Sequence, residues 1–250
     1  ERDDAFDLHV KFIMQAAIPI AMEGLLTALK GTDLYFRLER EGRLRGDTTG
    51  TSIDTHLNFV PEMSEETLTA GYLRVLDTIY DRRLKNYFER CWTLFQRLDR
   101  TKSPACASTP LPGREVVRFM RSTMRQLFSS QGPAYLRFLT RVMMYKPTML
   151  REALALGAKG YHLRKVTEHV GAVHTFEHCL VKLSEHLREE FAERAKESYE
   201  HLAVYAAQTA IRVQQEYRRI HEDFRHSAEN TFKAFLNLLE CSLREYDPLA

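Results

Sequence analysis

Cysteine is too sparse and too scattered in this chain to build a metal centre. The four cysteines, Cys91, Cys106, Cys179 and Cys241, stand far apart with no CxxC or CxxxCxxC spacing. That argues against a zinc ribbon or an iron-sulfur site held by this chain, and it suits the reduced thiols of a cytoplasmic protein. Long apolar runs are missing too: none approaches the roughly 18 residues of a membrane span. Neither sign of charge prevails. With 36 Lys and Arg against 34 Asp and Glu, the net charge is +2, which gives no electrostatic case for nucleic acid. The chain opens ERDDAFDLHV, without an initiator Met or a signal peptide, as though cut from something longer. What is present, 44% hydrophobic and 28% charged residues over 250 positions, suffices for a soluble chain of one or two domains with a buried core.

The one stretch that departs from helix-and-connector patterning is Ile18–Leu44. Asp4 to Ala17 has the spacing of an amphipathic helix, with Phe6, Val10, Ile13 and Met14 on one face and Asp3 or Asp4 as N-cap. Pro19 ends it. Ile20–Leu26 is then a short apolar run without alternation, the pattern of a strand covered on both faces in a parallel sheet. Thr27 to Thr32 turns the chain into a helix over Asp33–Glu41, which stops at Gly42. A lone strand would leave its backbone groups unpaired, so the rest of such a sheet lies outside this chain or the strand does not form. Helix, strand, loop, helix is half of a repeating α/β unit, and in a barrel of such units chemistry sits on the loop after the strand. Thr27, Gly31 and Thr32 would then face a ligand. The plainer alternative is that Gly31 permits a tight turn and Thr32 caps the next helix.

Further along, the polar Gly46–Asp54 segment is expected to be a linker or a loop over a ligand site, and Thr55–Met63 to be extended into Pro61. Ser64 starts a helix with an apolar stripe of Leu68, Tyr72, Val75, Leu76 and Ile79. Leu84–Leu98 carries Tyr87, Phe88, Trp92 and Phe95 at helical spacing, which is core rather than a cofactor box. A Pro-rich loop follows from Thr101 to Gly113. Helices are then expected over Arg114–Leu127, Tyr135–Tyr145 and Thr148–Leu156, broken at Gly132-Pro133 and Pro147. Arg118, Arg121, Arg125, Arg137, Arg141 and Arg151 on these pieces make either a solvated face or a patch for an anionic partner or membrane surface.

Several separate motifs point to one family. The run GLLTALKGTDLYFRLEREGRL from Gly24 to Leu44, then LNFVPEM, then GYLRVLDTIYD followed by YFERC, resembles the C-terminal part of cobalamin-dependent radical SAM proteins. The resemblance covers about residues 5 to 170. That family usually has proline before the glycine of its GT turn, where this chain has Lys30. The resemblance implies a parent enzyme, related to hopanoid methylases, that cleaves S-adenosylmethionine with an iron-sulfur cluster and carries a methyl group on cobalamin. Residues 1–45 would be the end of the barrel, 46–63 a linker and 64–170 a helical domain of unknown function. The missing upstream barrel and cobalamin domains would be its partners, a lipid-like substrate is among the options, and this chain would be inactive alone. Glu23, a charge inside the apolar run, would face the lumen where S-adenosylmethionine binds; a buried ion pair with an upstream Arg or Lys would satisfy it equally well.

The tail, residues 171–250, lies beyond the resemblance. From Ala172 to Asp247 there is no Gly and no Pro, and from Val173 to Leu243 apolar residues recur about every 3.7 positions. Such a stripe must be buried. The expectation is two long helices folding back near Arg194–His201 or near His226–Asn230, or a homodimer formed through the stripe. His174 and His178 at i and i+4, beside Cys179, are a weak metal candidate without the Glu of HExxH. The sequence therefore predicts a mainly α fold, with a helix-strand-helix barrel remnant ahead of a helical domain and long C-terminal helices. The function it predicts is the C-terminal segment of a radical SAM enzyme, with a non-catalytic helical interaction or regulatory module as the alternative.

Overall fold

The computed structural model describes residues 4–46, 57–98, 121, 123–195 and 198–246. The expected loops after Gly46 and over Thr101–Gly113, and the helix from Arg114 with Arg118, lie outside these residues except for the helical positions at 121 and 123–127. The helices are α1 (Ala5–Ala16), α2 (Asp33–Arg40), α3 (Glu65–Ile79), α4 (Lys85–Arg97), α5 (Gly132–Tyr145), α6 (Leu150–Ala195), α7 (Tyr199–Arg219) and α8 (Glu222–Arg244). The protein is mainly α. Among the described residues no strand forms, and β-type pairing is limited to an isolated antiparallel bridge between Leu44 and Phe59.

The helix ends follow local chemistry. Ala17 takes a left-handed conformation (φ 54°) and its N–H closes α1 on the carbonyls of Ile13 and Met14. The Thr32 hydroxyl caps α2 by accepting from the Tyr35 N–H, and Gly42, at φ +67°, supplies the left-handed residue beyond its end. Ser64 caps α3 in the same way, accepting from Thr67. At Gly132-Pro133 the helix begins rather than breaks, because a proline in the first turn lacks only an N–H that would have had no partner.

Two compact units form, Glu1–Thr167 and Glu168–Ala250, and α6 contributes to both. In the first, α1 packs on α3 and α4 on α5. The aromatics of α4 are core as expected: the Phe88 ring lies 5.5 Å from Tyr135 and 5.2 Å from Phe138, and Tyr80 and Tyr87 are 6.0 Å apart. The expected short helix at Thr148–Leu156 is instead the first turns of a 46-residue helix. Gly157 and Gly160 do not interrupt it. They let the Tyr135 and Tyr87 rings lie against its backbone, where a Cβ would stand 2.5 Å and 2.4 Å from those rings.

In the second unit the apolar stripe is buried by folding the tail into three pieces rather than two. The first of these helices ends at Ala195 and the next starts at Tyr199, inside the expected window, with Ser198 capping α7 by accepting from His201. A further turn, not anticipated, falls at Ile220-His221. There the Arg225 guanidinium donates to the carbonyls of Ile220 (3.0 Å) and Arg218 (2.8 Å), satisfying the end of α7 without glycine or proline. Phe176, Leu180, Val213, Ile220 and Phe235 form one core cluster, and Leu187, Phe191, Leu202 and Leu239 another.

Candidate functional site

The segment between α1 and α2 was expected to hold the strand Ile20–Leu26. The structure corrects this: those residues form neither strand nor helix. Side chains do the work of neighbouring strands. The Tyr80 hydroxyl accepts the Ala21 N–H and donates to the Ala21 carbonyl, each at 2.8 Å. Asn58 repeats the arrangement at Ala28, accepting its N–H and donating to its carbonyl, both at 2.9 Å. The Arg90 Nε–H donates to the Ile18 carbonyl at 2.9 Å, and the Tyr72 hydroxyl donates to the Glu23 carbonyl at 3.4 Å. Buried backbone groups that would otherwise be orphaned are thereby paired.

The side chains of the segment alternate. Ala21 and Leu25 are buried, whereas Ile20, Met22 and Leu26 are exposed, Met22 by 85%. That is the period-two pattern of a strand with one face packed and the other apolar and uncovered. Beside it lies a groove of about 290 Å³, lined by Leu26, Leu38, Phe59, Leu68, Arg37 and Arg43 among others.

Of the expected site residues, Glu23 is half-buried and its carboxylate lies 3.0 Å from Nε2 of His9 on α1. Its partner is therefore an upstream histidine rather than an arginine or lysine. Thr27 is half-buried two residues after Leu25. Gly31, at φ +86°, makes the turn into α2, and the Thr32 hydroxyl donates to the Leu29 carbonyl at 2.7 Å while capping the helix. Glu23 is thus held on the α1 and α3 side, and Gly31 and Thr32 belong to the start of α2. His174 and His178 stack at 6.3 Å on α6, and among the described residues no group of three His, Cys, Asp or Glu stands ready to hold a metal ion.

Four residues beneath the segment were not singled out for it from sequence: Asn58, Tyr72, Tyr80 and Arg90. Arg90 is 1% exposed, its guanidinium lies 5.7 Å and 5.8 Å from the Tyr80 and Tyr87 ring centres, and one terminal nitrogen has no hydrogen-bond partner. Burial lowers its pKa. Burial, followed by the Glu23 charge, pushes the Tyr72 phenol up to about 12. Burial likewise raises Tyr80, Tyr87 and Tyr135, and pushes the Cys91 thiol up to about 12. The phenols and the thiol keep their protons at physiological pH, and the Tyr72, Tyr80 and Tyr87 hydroxyls hold backbone carbonyls rather than exchange protons. The signal that would have found them is their periodicity: Tyr72, Tyr80 and Arg90 lie on the inward faces of α3 and α4 or at their ends.

The family described as "Domain of unknown function (DUF4070)" matches residues 32–175. The chain belongs to this family. The DUF4070 match starts at the cap of α2 and ends within α6, so the exposed segment Ile20–Leu26 precedes it and α7 and α8 follow it. A protein of Synechocystis sp. (strain ATCC 27184 / PCC 6803 / Kazusa), named as an uncharacterized methyltransferase, is 32% identical over 111 residues. That alignment covers 44% of this chain and 20% of the relative, so the chain spans about a fifth of the length of the curated protein it matches. No solved structure matches.

Proposed function

We propose that this DUF4070 chain is the C-terminal part of a methyltransferase-like radical SAM enzyme, cobalamin-dependent and active in the cytoplasm, whose preceding barrel packs against Ile20–Leu26. The observation that carries the reading is the uncovered apolar face of Ile20, Met22 and Leu26, on a segment whose other side is already pinned by Tyr80 and Asn58. A run of exposed apolar side chains of this kind marks a surface that another element covers. The name of the Synechocystis relative and its greater length support the same reading. In it the helical domain closes over the barrel and shapes the site of a lipid-like substrate. Glu23, Thr27, Gly31 and Thr32 form this chain's share of the S-adenosylmethionine side.

The iron-sulfur cluster does not fit the described residues of this chain. Three thiolates must converge on it. Cys91 is buried in α4, while Cys179 and Cys241 are exposed on α6 and α8. In this reading the preceding part holds the cluster and the cobalamin. Anaerobic purification of the full-length polypeptide tests the proposal. It is expected to bind a cluster and to convert S-adenosylmethionine to 5′-deoxyadenosine, whereas this 250-residue chain does neither. A full-length protein with no cluster and no turnover overturns it.

A further inference from the structure

From Val116 to Arg151 the sequence contains no Asp or Glu and seven Lys or Arg, in a chain whose overall net charge is only +2. Helix α5 lies inside this stretch. Its buried face, Tyr135, Phe138, Leu139 and Val142, packs into the first unit. Its opposite face carries Arg137 and Thr140 but is otherwise apolar, unlike an ordinary solvated helix face. Leu136, Met143, Met144 and Tyr145 are 54%, 52%, 69% and 67% exposed. Leu136 and Met143 are seven residues apart and Met144 is next to Met143, so the three share one side of the helix. Arg137 is exposed beside them, and Lys146 follows directly.

The flank of α5 adds positive charge. A groove of about 220 Å³ between α4 and α5 is lined by Lys85, Arg137 and Arg141, with Glu89 as its carboxylate. Arg141 is held by Glu89 at 2.8 Å and 2.9 Å, which leaves Lys85 and Arg137 in excess. Trp92, the only tryptophan in the chain, lies 6.1 Å from the Tyr145 ring and 6.0 Å from the Arg141 guanidinium. Exposed methionines, a Trp-Tyr pair and an acid-free basic stretch are the composition of a surface that lies in the headgroup region of a bilayer. Among the described residues no helix is long and apolar enough to cross one.

We infer that the α5 face is a peripheral docking surface for an anionic lipid bilayer. The apolar side chains enter the interface and the excess cations meet the lipid phosphates. A protein partner of mixed charge would leave the excess of Lys85 and Arg137 uncompensated. The inference is independent of the enzyme reading, since it concerns a different face and needs no cofactor.

Flotation of the whole chain with phosphatidylcholine vesicles, with and without phosphatidylglycerol, tests it, with Trp92 emission as a second readout. Binding and a blue shift are expected only with phosphatidylglycerol. The M143S/M144S and K85E/R137E variants each lower the partition coefficient about tenfold, while their circular dichroism stays that of the parent because all four side chains are exposed. Equal uptake by phosphatidylcholine alone overturns the inference, as does binding untouched by both variants. A Trp92 response to inorganic phosphate or transfer RNA without vesicle uptake also overturns it, and assigns the surface to a soluble anion or to nucleic acid.

Discussion

Asn58 and Tyr80 each satisfy both backbone groups of one residue in an otherwise irregular segment, and both are buried. Removing either leaves a donor and an acceptor without partners in the interior. Asn58→Ala and Tyr80→Phe are each expected to cost about 2–4 kcal/mol in urea unfolding, against the ~0.5 kcal/mol of an ordinary surface change. The raised phenols make a second prediction. A folded-state pKa above the unfolded value means that the native state holds the proton more tightly. The contribution of Tyr72, Tyr80, Tyr87 and Tyr135 is therefore complete below about pH 10 and is lost as pH climbs through the folded values. Urea midpoints are expected to hold steady to about pH 9, where the unfolded Cys91 thiol starts to ionise, and to fall towards about pH 12 as the phenols join it; a fall beginning near neutrality would contradict this. Cys91, buried and with its thiol pushed up to about 12, should resist alkylation at neutral pH while the exposed Cys179 and Cys241 react, as peptide mapping would reveal.

At the scale of elements, the glycines of α6 separate packing from propensity. Gly171 has nothing within 4 Å of a built Cβ, so Gly171→Ala is expected to stabilise by about 1 kcal/mol. Gly160→Ala gains the same propensity but drives a methyl to 2.4 Å from the Tyr87 ring, and a net loss of about 1–2 kcal/mol should appear in the same unfolding experiment. These glycines also show where sequence reading stops. Caps at Thr32 and Ser64, the turn at Gly31 and the aromatic core of α4 are local signals, written in neighbouring residues. The continuity of α6 through Gly157 and Gly160 is decided by rings that are distant in sequence. The turn at Ile220 depends on Arg225 reaching back to two carbonyls, which no glycine or proline announces. The apolar run Ile20–Leu26 has the composition of a strand, and whether it becomes one depends on partners that composition cannot reveal. In the candidate site, Glu23 was legible as a charge that needs company, but not that His9 provides it.

For the whole molecule, a mainly α chain of the DUF4070 family keeps one apolar, non-helical edge facing outward, fixed from behind by Tyr80 and Asn58. In the proposed function this edge is where the chain meets the rest of a larger enzyme. Amide hydrogen exchange across Ile20–Leu26, compared between this chain and the full-length polypeptide, tests that most directly. The account predicts that the Met22, Gly24 and Leu26 amides exchange rapidly in the 250-residue chain and become protected in the full-length protein. Rapid exchange in both, or protection already complete in the shorter chain, would contradict it.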